Sequence, residues 1–517
     1  MTAVSLQSGS ERDRRLESTP VHIVGLALVF TAGGMALSAV VDLVAGSDAA
    51  SALLASATAT AVVGTIAWRG SRIPARIAPR AVFSAVTWAW LAMSVAGAVP
   101  YLLSGTFDTI DGALFESISG FTCTGSTVLT PEGFETTSAG VMWWRQLTQW
   151  FGGMGIIVLA VAVLPFVGVG GLELISAEAP GPASDRLAPR VSETARRLWL
   201  VYLGFTFVSL VALMVTGLSL YDASAHALAL VSTGGFSPNI DSIGAYDDLG
   251  VELVVVVGMV LGGTSFTLHY QAVRGRLGAY LQSSEFILYL LGIIGATAVV
   301  SVLLATDGAG IGASVRNALF NVVTLATSTG FGNATGDASL GNFAAWVPAA
   351  QVILFSFMWS GGMTGSTSGG IKVLRVQVMG RVAWREMVRA RRLRVVRPIT
   401  QGDEPIEEAT VSRITGFVLL YFLIAVGAGA VLTFGGTDIT TSFSGSVSAM
   451  GNMGPALGEA GPTSSFLVFP RAGRMLLALL MLVGRLEVFP MVLLAVAGVR
   501  QLGLGARRPL ARLRRPG

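Results

Sequence analysis

The chain has 517 residues, 52% of them hydrophobic and only 12% charged, with a mean hydropathy of +0.68. A soluble domain carries about 25% charged residues, so this composition excludes a chain that solvates its whole surface and points to lipid as solvent. The net charge of +4 rests on 33 arginines and a single lysine, Lys372; that balance fits the inner loops of a membrane protein and gives no ground for a nucleic-acid partner. One cysteine, Cys123, rules out an internal disulfide and a cysteine-rich metal site. Three scattered histidines, His22, His226 and His269, weigh against a metal enzyme.

Residues 1–20 are polar and charged and read as a cytoplasmic segment with no cleavable signal. A span needs roughly 20 apolar residues, and ten stretches qualify: 21–43, 50–68, 81–103, 141–169, 198–220, 251–269, 286–305, 343–378, 414–434 and 473–499. Four shorter apolar segments, 111–121, 223–230, 313–325 and 441–450, are too short to cross and are expected as re-entrant half-helices. The first two spans (21–80) stand apart. The remainder repeats the order span, half-helix, loop, span four times, over 81–175, 176–275, 276–397 and 398–500, and 501–517 is a basic tail. The fold class expected is an all-α polytopic membrane protein of four repeats around one pore.

Arginine placement orients it. Arg12, Arg14 and Arg15, then Arg69, Arg72, Arg76 and Arg80, then Arg186, Arg190, Arg196 and Arg197, then Arg274 and Arg276, the run from Lys372 to Arg397, and the tail from Arg500 all fall on one side of the ten-span arrangement, the cytoplasmic side. Both termini are therefore expected inside. The opposite side is expected to be nearly free of Lys and Arg. It carries Asp108, Asp111, Glu132, Glu135, Asp222, Asp241, Asp247, Asp248, Asp337 and Glu459, which either attract cations or simply solvate loops.

Each half-helix runs into a small-residue loop. The loops read Thr122-Cys123-Thr124-Gly125-Ser126-Thr127, Val231-Ser232-Thr233-Gly234-Gly235-Phe236, Thr327-Ser328-Thr329-Gly330-Phe331-Gly332 and Gly451-Asn452-Met453-Gly454-Pro455. A dehydrated monovalent cation needs several oxygens at once, and a ring of backbone carbonyls from four loops supplies them. Glycine adopts the required backbone at low cost, and a half-helix ending at the loop aims its negative end at the ion. Helix packing through small residues is the competing reading.

The stretch 361–370 (Gly361, Gly362, Met363, Thr364, Gly365, Ser366, Thr367, Ser368, Gly369, Gly370) interrupts the span 343–378 in the third repeat alone. Glycine costs about 1 kcal/mol in a helix interior, and irregular backbone at membrane depth persists only where it lines a cavity. The expectation is a gate beneath the filter, ending at Lys372, with a packing kink as the alternative. No phosphate loop is present, because Ile371 precedes Lys372 and no Gly-Lys-Ser/Thr ending exists. Arg485, inside the last span, is expected to contact 361–370 or to repel cations below the filter, and otherwise to snorkel inward. Glu487 does not share its helix face and is not expected to pair with it. His269 reads as a cap or packing residue. The arginines of 381–397 are either a lipid-facing inner loop or a docking site for a regulator.

Several motifs now carry a resemblance. They are Gln149-Trp150-Phe151-Gly152-Gly153-Met154-Gly155, Gly262-Gly263-Thr264-Ser265-Phe266 with Leu268-His269, Gly361 to Lys372, Asn452-Met453-Gly454-Pro455, and Gly484-Arg485-Leu486-Glu487-Val488-Phe489-Pro490. Nearly the whole chain resembles the Trk/Ktr/HKT superfamily of potassium transporters, and the two extra spans resemble its TrkH branch. The resemblance implies one filter glycine per loop, Gly125, Gly234, Gly330 and Gly454, binding K+ as the transported ion. Gly235 competes with Gly234 by one register. Thr124, Thr233, Thr329, Asn452 and Met453 complete the implied filter, with Met453 standing where the other loops have threonine. It further implies a gate at 361–370, a separate TrkA-type nucleotide-binding regulatory subunit, a homodimer with one pore per subunit, no tightly bound cofactor, and a place in a prokaryotic plasma membrane. A coupled cation symporter is the alternative; near absence of Asp and Glu from span centres argues against proton coupling. An enzyme would need a clustered polar constellation, and none is visible.

Overall fold

The computed structural model describes residues 16–74, 79–167, 187–391, 398–401 and 404–488. The expectations for Arg12, Arg14, Arg15, Arg76, Arg186, Arg397, Phe489, Pro490, Arg500 and the tail lie outside these residues. Helix α1 (Thr19–Ala45) and helix α2 (Ala50–Arg69) form an antiparallel pair. Ser18 caps α1 by accepting from the Val21 amide, and Gly46 ends it in the left-handed region. The pair packs on the first repeat through Met35, Trp144, Leu147 and Phe151, with the Phe30 and Phe151 rings 5.0 Å apart.

Then one order of elements recurs. Helices α3 (Pro79–Leu103), α4 (Ile110–Phe121), α5 (Pro131–Thr136) and α6 (Ala139–Val167) come first. Helices α7 (Leu187–Val215), α8 (Leu220–Val231), α9 (Leu249–Gly262) and α10 (Phe266–Val273) come next. After the single turn α11 (Ala279–Gln282) come α12 (Ser284–Thr306), α13 (Ile311–Ala326), α14 (Pro348–Trp359) and α15 (Val373–Arg391). Helices α16 (Glu408–Thr433), α17 (Ile439–Gly451) and α18 (Arg471–Arg485) close the series. Among the described residues six helices are long and apolar enough to cross a membrane, and α9 with α10 makes a further pair bent by 101°. The span expected at 251–269 is therefore broken after Gly262. The one expected at 343–378 is two helices with residues 360–372 between them.

Helices α4, α8, α13 and α17 have 12, 12, 16 and 13 residues. At ~1.5 Å per residue they reach roughly 18–24 Å, short of a ~30 Å hydrocarbon core. Thr109, Ser219 and Asp438 cap three of them by accepting from Gly112, Asp222 and Thr441 amides. Their far ends are buried.

Tyrosines join successive repeats. Tyr202 of α7 donates to the Trp150 carbonyl of α6 (3.0 Å), and Tyr289 of α12 donates to the Val260 carbonyl of α9 (3.2 Å). Ion pairs do the same at the loop side. Arg316 of α13 bridges Glu252 of α9 (2.9 Å) and Asp247 (2.9 Å), and Arg474 of α18 bridges Asp111 of α4 (2.8 Å). The expectation of a loop side nearly free of arginine is corrected here by Arg145, Arg316, Arg471 and Arg474. Each is held against a carboxylate, so Asp111 and Asp247 neutralise protein cations instead of standing free.

The most enclosed pair is Glu116 with Arg145, whose side chains are 0% and 1% exposed and 2.7 Å apart. Glu116 also accepts from the Thr127 hydroxyl (2.8 Å) and the Val128 amide (3.0 Å), while Arg145 donates to the Ser237 carbonyl (3.1 Å) and covers the Phe236 ring at 4.2 Å. The pair thereby ties the segments that leave the first and second loops. Glu116, Glu252 and Glu285 are all buried, so the interior holds more carboxylate than hydropathy suggests. Removing one member of a buried pair costs about 3–5 kcal/mol. Glu116→Ala is accordingly expected to lower thermal stability in detergent sharply, and Glu116→Ala with Arg145→Leu to recover most of the loss.

Candidate functional site

The four half-helices end in one way. The amides of Thr124, Gly234, Thr329 and Met453 each reach back five residues, to the carbonyls of Ser119 (2.9 Å), Ala229 (2.8 Å), Thr324 (2.9 Å) and Ser448 (3.0 Å). The residue before each is left-handed although it is not glycine: Cys123 (φ 54°), Thr233 (51°), Ser328 (53°) and Asn452 (52°). Such residues are uncommon, and four at one position mark one repeated turn, a helix end closed on its own carbonyls. The residue after each is a left-handed glycine: Gly125 (83°), Gly235 (79°), Gly330 (82°) and Gly454 (96°).

This register corrects the second loop by one residue. Gly235, not Gly234, is the counterpart of Gly125, Gly330 and Gly454. Gly234 is the counterpart of Thr124, Thr329 and Met453, and Thr233 and Asn452 belong one step earlier with Cys123 and Ser328. Two adjacent glycines left this open in the sequence; the hydrogen-bond register decides it.

The loops close on one another in chain order. A side chain at Gly125 would run into the carbonyl oxygen of Gly234, and one at Gly235 into that of Thr329. One at Gly330 would meet the Met453 carbonyl, and one at Gly454 the Thr124 carbonyl, 2.9 Å away. Four carbonyls and four glycines thus form a ring. Between the fourth and first loops, Ser126 donates to the Gly454 carbonyl (2.8 Å) and the Asn452 amide to the Thr124 hydroxyl (2.9 Å). The Thr124 and Thr329 hydroxyls bond to those of Thr122 and Thr327, 2.7 Å each.

Residues 360–372 lie against the ends of the half-helices. Their neck is a short parallel bridge: Ile371 donates to Trp359 (3.1 Å), Gly361 to Ile371 (2.9 Å) and Val373 to Gly362 (3.2 Å), all through the backbone. Their tip bonds upward. Thr367 donates to the Val231 carbonyl (3.0 Å), Ser368 to the Thr327 carbonyl (2.7 Å), and the Gly369 amide to the Ser328 hydroxyl (2.6 Å). Gly369 also has no room for a side chain beside the Gly451 carbonyl. Gly365 (φ 78°) and Gly370 (φ 64°) turn the chain, and Ser366 donates back to the Met363 carbonyl (2.6 Å). The bend between α9 and α10 is satisfied by the same segment, with Met363 donating to Gly263 (2.8 Å) and Phe266 to Gly365 (3.0 Å).

Arg485 meets this segment. It donates to the Thr367 carbonyl (2.7 Å), the Cys123 sulfur (3.1 Å) and the Gly152 carbonyl (3.3 Å), and is buried. Glu487 pairs with Arg375 at 2.7 Å. Lys372 donates to the Ser368 carbonyl. His269 bonds the Leu261 carbonyl and the Tyr280 hydroxyl, each 2.8 Å away.

Two residues escaped the sequence reading. Glu285, in the first turn of α12, accepts from the amides of Thr364 (2.7 Å) and Leu374 (3.0 Å) and so staples both ends of the irregular segment. Its one sequence signal is a carboxylate opening an apolar span. Gln149 donates to the Gly234 carbonyl (2.6 Å) and accepts from the Phe236 amide (3.1 Å); it stood inside a motif but no spacing rule gave it a partner 85 residues away.

The TrkH family, described as cation transport proteins, matches residues 51–290 and 305–501. The Trk system potassium uptake protein TrkH of Halomonas elongata is 37% identical over 415 residues, which are 78% of this chain and 83% of that protein. The protein of that name from Escherichia coli K12 is 32% identical over 92% of this chain and 97% of its own. The crystal structure of the potassium transporter TrkH from Vibrio parahaemolyticus superposes with a TM-score of 0.83 at 30% identity, covering 92% of this chain and 98% of that one.

Placing a side chain on a left-handed residue costs about 1–2 kcal/mol. Gly235→Ala is expected to destabilise the chain by at least that amount in thermal unfolding. Gly295→Ala, inside α12 and with nothing within 4 Å of the added methyl, is expected to cost nothing and to gain up to about 1 kcal/mol.

Proposed function

The chain belongs to the TrkH family of cation transport proteins, and on that premise we propose that it forms the pore of a potassium uptake system, with the ring of four loops as its selectivity filter. One observation carries the reading: four left-handed glycines, each closed against the carbonyl of the next loop. A K+ ion that has shed its water needs oxygens from several directions, and backbone carbonyls offer them without a full charge that would trap it. The four half-helices end at the ring with their negative poles toward the ion. Met453 and Gly234, at the position held by Thr124 and Thr329, make the ring only approximately fourfold.

Residues 360–372 act as the gate in this reading. The tip occupies the space under the ring, held there by Thr367, Ser368 and Gly369 and by the Arg485 bond to the Thr367 carbonyl. Opening breaks these bonds together, while the neck and the Glu285 staple keep the loop's ends joined. The guanidinium of Arg485 adds a positive charge beneath the ring, an electrostatic barrier to cations while the gate is shut. The proposed assembly has ten spans arranged as four repeats plus two, both termini in the cytoplasm of a prokaryotic cell, two copies each with its own pore, and a separate TrkA-type nucleotide-binding subunit docked on the inner face. K+ is the cargo, driven by the membrane potential.

The test is flux in proteoliposomes holding the purified chain. K+ and Rb+ are expected to follow a clamped potential, Na+ and Li+ to lag, and Gly330→Ser or Gly125→Ser to abolish the preference. Flux that demands a second ion or a pH gradient would replace this reading with a coupled symporter. Arg485→Gln removes a bond to a charged donor, worth about 1.5–3 kcal/mol; at about 1.4 kcal/mol per decade, basal flux is expected to rise tenfold or more. Unchanged flux in that variant would remove Arg485 from the gate.

A further inference from the structure

The position before each ring glycine is filled in three different ways. Thr124 and Thr329 fill it with a hydroxyl that bonds to Thr122 and Thr327. Met453 fills it with a thioether whose methyl lies 3.2 Å from where side chains of Gly370 and Gly451 would begin. Gly234 has no side chain, yet its φ is outside the left-handed region, so the backbone does not demand glycine there. What excludes a side chain is Gln149, a buried residue of α6 whose amide overlaps the place where a Gly234 side chain would start. That amide donates to the Gly234 carbonyl at 2.6 Å and accepts from the Phe236 amide at 3.1 Å. It therefore clamps the backbone on both sides of Gly235. The Gln149 carbonyl meanwhile accepts from the Cys123 thiol at 3.1 Å, so one residue touches the first and second loops.

We propose that Gln149 is a specificity-determining positioning residue, supplying from a neighbouring repeat the side chain that the second loop lacks. The inference rests on the filter reading above. The side-chain amide donates with its nitrogen and accepts with its oxygen, so one group serves both backbone positions. A carboxylate would lose the donor and set negative charge against a carbonyl; an aliphatic chain would leave the buried Gly234 oxygen and Phe236 N–H without this partner. The carbonyl bonded to Gln149 also shares its lone pairs with a protein donor, so its pull on an ion differs from that of Thr124, Thr329 and Met453. K+ over Na+ discrimination then depends on the Gln149 bond, not on the four loops alone.

Gly234 and Gln149 compete for one volume, which makes the pair testable by exchange. Ser232 holds the position of Thr122 and Thr327, and its hydroxyl bonds the preceding helical turn as theirs do. A threonine introduced at 234 thus finds a hydroxyl partner once the glutamine is shortened. The full chain is reconstituted and the ratio of K+ to Na+ flux measured. Gln149→Leu is expected to lower the ratio about fivefold, the worth of one net hydrogen bond. Gly234→Thr alone is expected to lower it as well. Gln149→Gly with Gly234→Thr is expected to return it to within about twofold of the unaltered chain, since it also clears the Gln149 Cβ, 2.9 Å from where a side chain at 234 begins, and the introduced hydroxyl restores a bond of the same worth. A double variant no better than the worse single one, or an unchanged ratio in Gln149→Leu, overturns the proposal. Should Gln149→Leu not fold, Gly234→Thr against the double variant decides alone. Failure of the filter reading looks different: the unaltered chain would then be unselective and Gly330→Ala without effect on the ratio, and the proposal would fall with it.

Discussion

Everything in this fold depends on how a helix can stop halfway through a hydrocarbon layer. Its last carbonyls cannot turn to water, and each one left unpaired costs several kcal/mol. Four times the chain solves this with a left-handed residue and an amide that reaches back five positions. The same turn that closes the helix sets the following carbonyl against the glycine of the preceding loop. The ring is thus a consequence of ending four half-helices at one depth, and the glycines are where the neighbouring loop leaves no room for a side chain. Burial of the helix ends and closure of the ring of carbonyls are one structural event.

The third repeat breaks the symmetry, and its irregular segment survives for the same reason. Met363 and Gly365 satisfy the backbone freed by the bend between α9 and α10, while Thr367, Ser368 and Gly369 take up positions under the half-helix ends. Two bends in different repeats complete each other, so neither reads as a defect. Glu285 and Arg485 hold the segment from below and from the side. The segment proposed as the gate is bonded directly to the residues that shape the proposed filter, Ser328 among them, so displacement of one is felt by the other.

Charge follows a related logic. Asp111 with Arg474 and Glu252 with Arg316 join neighbouring repeats at the loop side, with the carboxylate on the half-helix in one case and the arginine in the other. Counting acidic residues along the sequence left an attractive outer mouth and plain loop solvation both open. Pairing shows that Asp111 and Asp247 serve as partners for protein cations. A buried charge is tolerable only when matched, and the match came from segments as far apart as 363 residues.

Hydropathy and the 20-residue scale of a bilayer sufficed to read the all-α, multi-span character of the chain, the four short segments, the four small-residue loops and the interrupted stretch 361–370. Each of these is local: it follows from the length of an apolar run or the clustering of glycine. Contact between Arg485 and the irregular segment was also open to inference, because an intramembrane cation must find oxygen. Register was not. Gly234 and Gly235 are indistinguishable until the return hydrogen bond of the half-helix picks one. The bend after Gly262 and the Gln149 clamp rest on contacts across repeats, and the Glu285 staple and the Glu116–Arg145 pair on contacts between separate helices of one repeat; all are set by which helix faces meet when the segments close on one another. Composition and periodicity fix what each segment must bury; only the closed ring decides against what, since that choice is made by packing between segments with no trace in the spacing of either.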